Sequence, residues 1–337
     1  MLMSFSRTAM AAALAVALIT LAGTAQAVTL KIATVSPDGS VWMQALRSAD
    51  AQVREATDGR VKLKFYPGGV MGDDKAVLRK IRVGQLHGAV LTSGGLTAVD
   101  PDVQLYGLPL VLQSPEETTA IRAQFDQRLM QGLEENGFVS FGFAEVGFAY
   151  AMAQEPVTSV AGAREQKVWV PDNDPGSVRL LQGFGISGIP LTIADVLTGL
   201  QTGLINAIAS PPIGTVALQW HTQLQHGLDL PLTYTYGALA VSQRQFKKVS
   251  PEDQATVRRV LGEMVSKVDA DARRDHINAK AALTNQGIQW HPASAEELAE
   301  WQSLADAANE AFVQEGFIDA TLYRDFQQAI SALRADG

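Results

Sequence analysis

The chain has 337 residues, 47% of them hydrophobic and 18% charged, an ordinary globular composition with enough length for two domains. Its formal net charge of −8 argues against a nucleic-acid partner. The absence of cysteine removes disulfides, thiolate metal sites and cysteine nucleophiles together.

In chain order, the first segment is MLMSFSRTAMAAALAVALITLAGTAQA. Arg7 precedes an apolar run from Ala9 to Ile19, and Ala25-Gln26-Ala27 is the small-x-small pattern at which export signals are cut. The run falls short of the roughly 20 residues that span a bilayer. Residues 1–27 are therefore expected to be a signal peptide cleaved after Ala27, with no membrane insertion of the mature chain.

Thr29 to Thr34 reads as a strand, Ser40 to Thr57 as a helix with Trp42, Leu46, Ala49 and Val53 at helical spacing, and Val61 to Tyr66 as a second strand. A helix over Lys75 to Val83 and a strand from His87 to Thr92 complete a β-α-β-α-β series, the mark of an open, mostly parallel sheet. A second set begins near Tyr150. It has a strand through Lys167 to Val170, a helix from Gly176 to Gln182 capped by Asn173 or Asp174, a helix from Thr192 to Gln201, and a strand from Leu204 to Ala209. Pro251 to Asn285 predicts one long helix, followed by helices from Ser294 to Gln314, with Ser294 and Glu297 spaced as a capping box, and from Ala320 to Arg334.

No catalytic or metal constellation assembles along this chain. GFGISG at Gly183 to Gly188 matches the dinucleotide pattern, but a helix precedes it where a strand is required, so it reads as a helix end and turn. The five histidines show no metal-ligand spacing, and Ser93 in LTSGGL lacks the first glycine of a nucleophile elbow. Ser93 fits better as a ligand contact at a strand end. What stands out is aromatic residues near strand ends and helix starts: Trp42, Phe148, Tyr150, Trp169, Tyr234 and Tyr236. Each alone suits core packing; together they suggest a pocket with aromatic walls.

Four stretches carry a family resemblance: ATDGRVKLKFYPGGVMGDDKAVLRKIRVGQLHGAV from Ala56, DPDVQLYGLPLVLQSPEE from Asp100, LTIADVLTGLQTGLINAI from Leu191 and FKKVSPEDQATV from Phe246. In order and spacing the chain resembles the periplasmic solute-binding proteins of TRAP transporters, DctP type. The resemblance implies an α/β fold of two hinged domains (a Venus flytrap) with a long helix crossing both. It implies 28–148 plus 237–278 as one domain and 149–236 plus 279–337 as the other. It also implies a periplasmic protein that holds a small-molecule solute in the interdomain cleft and delivers it to integral membrane permease subunits, without catalysis or cofactor.

The resemblance also marks departures. Members often have G-x-K-x-R-V-P, whose arginine clamps a solute carboxylate; here Trp169 stands at the arginine position. Ala149 replaces a second basic residue, and Ser210 precedes Pro211 where Asn is frequent. A carboxylate in a closed cleft needs a paired charge or several donors. A neutral, aromatic or hydrophobic solute is therefore expected. The alternatives are a conventional organic acid held by other groups, such as Arg179 or helix N-termini near Ser40 and Gly176, and a sensory binding protein. The expected ligand contacts are Trp42, Ser93, Phe148, Ala149, Tyr150, Trp169, Asn173, Arg179, Ser210, Tyr234 and Tyr236.

Overall fold

The computed structural model describes residues 27–172 and 174–335, the side chain at 273 apart. Residues 1–26, all but the last residue of the expected signal peptide, and Asn173 lie outside the described residues.

The alternating pattern at the start of the chain folds as expected. Strands β1 (Val28–Thr34), β2 (Val61–Tyr66) and β3 (Gly88–Thr92) pair in parallel, with β1 between the other two. The Val41–Ala56 helix buries Leu46, Ala49 and Val53 of the expected stripe, with Met43 in place of Trp42, which is only half-buried, and Ser40 caps it by accepting from the Met43 N–H.

The main feature that periodicity missed is β4, Phe138–Ala153. Sixteen residues long, it belongs to two sheets. Its first part pairs antiparallel with β9 (Thr233–Ser242), which in turn pairs antiparallel with β3. Its last part, Tyr150 to Ala153, pairs with β7 (Ala207–Ser210). Beyond β7 lie β5 (Val168–Pro171) and β6 (Gly188–Leu191), in parallel, while β8 (His226–Leu228) joins β4 to β10 (Gln289–His291). The result is two mixed sheets joined by β4, with β9 beside it in the first. The register of that pair slips between Glu145 and Gly147, where Gly147 has φ +113°. A bulge there bends the strand. A Cβ at Gly147 would also collide with the His276 ring, so glycine is required twice over.

The helix Pro251–Asn285 runs unbroken over 35 residues as the sequence indicates. It packs along β4 and reaches from the Val41–Ala56 helix on one side to the short Pro212–Ala217 helix on the other. The fold is the two-domain α/β architecture with a helix spanning both halves. The boundaries of the halves remain our proposal, with one amendment. The last helix, Ala320–Ala335, puts Leu322, Phe326 and Ile330 into the same apolar cluster as Tyr106 and Phe125, so we place it with the first half rather than the second.

Other local expectations resolve cleanly. GFGISG is a helix end and turn: the Pro175–Gly183 helix stops there, and Gly185 takes φ +69°. Ser294 and Glu297 form a reciprocal capping box. At the start of the helix predicted from Thr192, the Thr192 hydroxyl donates to the Asp195 carboxylate at 2.6 Å, and neither side chain caps the helix backbone. No helix among the described residues is long and apolar enough to cross a membrane.

Candidate functional site

A cavity of about 690 Å³ lies where the two sheets meet. The first half contributes Ser36, Pro37 and the chain from Gly39 to Trp42 at the start of the first helix, Thr92 at the end of β3 with Ser93 after it, and Gln104. The second half contributes Trp169, Ser210, Ile213 and Trp220, and the crossing strands add Glu145, Ala149, Tyr234 and Tyr236. The lining is mainly apolar. Among the described residues no lysine or arginine reaches it, whereas Glu145, Glu155, Asp174 and Asp275 do.

Trp169 sits in the middle of β5, edge-on to Trp220 with ring centroids 5.1 Å apart. Its indole N–H donates to the Leu191 carbonyl at 3.0 Å. What it presents to the cavity is carbon. Tyr234 and Tyr236 alternate with Thr235 along β9 and are almost fully buried, their rings stacked at 6.0 Å. Both hydroxyls are committed: Tyr236 donates to the Val103 carbonyl, and Tyr234 donates to Glu145 at 3.2 Å while accepting from Arg122 at 3.2 Å. Burial pushes both phenols well above their ordinary range, so neither supplies charge. Ser93 begins the short helix after β3, Ser210 ends β7, Ala149 lies on β4 beside Thr233, and Trp42 is half-buried on the first helix. All four line the cavity.

Three expected contacts lie elsewhere. Arg179 pairs with Glu315 at 3.2 Å and lies over the Phe317 ring at 4.5 Å, outside the lining. Its helix starts at the cleft, but one turn carries the side chain round to the C-terminal helices. Phe148 packs on Tyr234, and Tyr150 stacks on His276, so both serve the core at the crossing. The strand's alternation turns them away while Ala149 faces the cavity.

The sequence reading also missed several groups. Arg122 is buried beneath the crossing strands, bound to Asp126, Asp269 and the Phe143 carbonyl. Its signal was an arginine on the apolar stripe of Ile121, Phe125 and Leu129, with Asp126 four residues on. Asp174 is the buried N-cap of the Pro175–Gly183 helix; burial raises its pKa, against the opposing hydrogen bonds of Ser177 and Gly176. The two halves touch at glycines: a Cβ on Gly94 would lie 2.6 Å from the Asp174 carboxyl carbon, and one on Gly176 would strike Gln104. His226 and His291, far apart in sequence, meet at 3.0 Å across β8 and β10, but no group of three metal-ligating side chains forms among the described residues.

Comparison with known proteins places this geometry. The family described as DctP, bacterial extracellular solute-binding protein, family 7, matches residues 32–315. The chain is 25% identical over 205 residues to the 2,3-diketo-L-gulonate-binding periplasmic protein YiaO of Escherichia coli, a stretch covering 60% of this chain and 62% of that protein, less than two thirds of its length. Its fold matches a TRAP periplasmic solute binding protein from Xanthobacter autotrophicus with bound β-D-galacturonate, with TM-score 0.81, 19% identity and coverage of 90% of this chain and 99% of the other. It also matches one from Desulfovibrio salexigens with bound orotic acid, with TM-score 0.80, 17% identity and coverage of 90% and 99%.

Proposed function

Because the chain belongs to the DctP family of bacterial extracellular solute-binding proteins, we propose that it is the periplasmic receptor of a TRAP transporter, binding a small organic acid between its two halves and presenting it to a membrane permease. The observation that carries this reading is the cavity at the junction of two sheets that share β4, the place where a hinged pair of domains encloses a ligand.

The acid class is supported by the related proteins, which hold galacturonate and orotic acid or are named for diketogulonate. The expectation of a neutral or hydrophobic solute finds no support among them. With Arg179 outside the lining, the carboxylate of such an acid would rest on neutral donors: Ser93, Ser210 and the N–H groups of Val41 and Trp42, which have no acceptor within the helix.

One observation favours a second reading, a neutral or aromatic solute: the cavity lining lacks any lysine or arginine among the described residues. Calorimetry with orotate and with uracil, which has the same ring without the carboxylate, separates the two. Binding of orotate, galacturonate or glucuronate with no binding of their neutral counterparts supports the acid receptor. Binding of uracil with rejection of every acid overturns it in favour of the second reading.

A further inference from the structure

The cavity also reaches the face of the second sheet opposite Trp169. Ala151 and Ala153 of β4 lie in register with Ala209 and Ala207 of β7, and Val168 of β5 pairs with Ala207. Side chains alternate between faces along a strand, so these alanines share one face while Trp169 occupies the other. All four alanines line the cavity.

Protein interiors are close-packed and leave few voids larger than a water molecule. This face departs from that rule in one direction. Ala153 and Ala207 are buried, Ala151 is half-buried, and Ala209 is exposed although it lies on an interior strand. The covering layer therefore recedes toward the end of β7 where Ser210 meets the cleft. The lining also includes Phe184, Ile186 and Trp301, which belong to the same apolar cluster as Ala153 and Ala207, so this part of the cavity is mainly apolar, with Glu155 and Gln166 as polar members of the lining. Empty apolar hollows stay dry and accept carbon ligands.

We propose that this hollow is an annex of the solute site that takes the aryl or branched alkyl portion of an organic acid, while the carboxylate stays in the cleft. The assignment rests on the acid-receptor reading given above. Moving a phenyl ring from water into such a hollow is worth between about tenfold and a hundredfold in affinity.

The test uses calorimetry with two probes, 3-phenylpropionate and D-glucuronate, on the wild type and on Ala209→Leu, whose added branch fills the hollow at a position already exposed. Ala151→Val serves as a second variant, and melting temperatures check that both are folded. The expected result is tighter binding of 3-phenylpropionate than of glucuronate by the wild type, and in the variants a loss of at least tenfold for 3-phenylpropionate that exceeds the loss for glucuronate at least fivefold. Glucuronate binding without 3-phenylpropionate binding overturns the annex and leaves the acid receptor standing. So does an unchanged 3-phenylpropionate affinity in both variants, or an equal loss for both probes. A wild type that binds neither of these acids, nor orotate or galacturonate, overturns the acid reading itself and the annex with it.

Discussion

The guanidinium of Arg122 lies 3.2 Å from the phenol oxygen of Tyr234, so a cation absent from the cavity lining supports one of the cavity's walls. The same guanidinium reaches Asp269 at 2.6 Å, and Asp269 accepts the Glu145 N–H at 2.7 Å. Helices Pro115–Glu135 and Pro251–Asn285 are thereby tied to the crossing strands through one buried side chain. Arg122→Met leaves Asp126 and Asp269 without their cation. Removing one partner of a buried ion pair typically costs about 3–5 kcal/mol. We expect a loss of that order in urea denaturation; a change below about 1 kcal/mol would show that the network is effectively solvated.

Gly94 faces Asp174 across the junction of the halves, and a methyl group there would lie 2.6 Å from the carboxyl carbon and 2.7 Å from Asp174 Cβ. Asp174 cannot easily yield, because it caps a helix and accepts from the Ser177 N–H and hydroxyl. Gly94→Ala should therefore hold the halves apart. Solute affinity should fall about tenfold or more, equivalent to about 1.4 kcal/mol or more, and small-angle scattering should report a larger radius of gyration with solute present. Unchanged affinity and radius would mean that this contact plays no part in closure.

His276 is buried on the long helix against Gly147, Phe148 and Tyr150, and its Nδ1 has no hydrogen-bond partner. Burial, with Lys280 adding to it, lowers its pKa from 6.5 to about 4. The folded state therefore favours the neutral ring. The unfolded chain binds the proton more readily between those values, so this group's contribution to stability is lost as pH falls from about 6.5 to about 4. His276→Phe should flatten that part of the stability–pH curve. An unchanged slope would assign the acid sensitivity to other groups.

Asp74 gives the opposite slope. Burial raises its pKa from 3.8 to about 6, against the Thr92 hydroxyl and N–H that donate to it at 2.6 and 3.1 Å. Here the folded state holds the proton more tightly, so stability falls as pH rises from about 3.8 to about 6 and stays lower above it. Asp74→Asn keeps an acceptor for Thr92 and removes the half-buried charge. It should raise stability at pH 8 by on the order of 3 kcal/mol, with the gain vanishing near pH 4. Equal effects at both pH values would show that charge is not the cause.

The sequence by itself determined the elements whose signals are local. Helix stripes, caps and β-branched runs gave the first three strands and the 35-residue helix at Pro251–Asn285, because each depends on the spacing of neighbours along one segment. The ordered motifs carried the family for the same reason. What lay outside local spacing was decided in three dimensions. β4 was missed because its glycines and a bulge blur alternation, and its pairing partners lie far along the chain. The strand position of Trp169 was legible, but Leu191 and Trp220, brought beside it only by the sheet and its flanking turn, took its N–H and its edge. Arg179 was placed near the cleft by sequence distance, and the helix carried it to Glu315 and Phe317. The four alanines were ordinary small residues until β4 and β7 aligned them on one face. A cavity is a relation among segments distant in sequence, and no single segment encodes the space left between them.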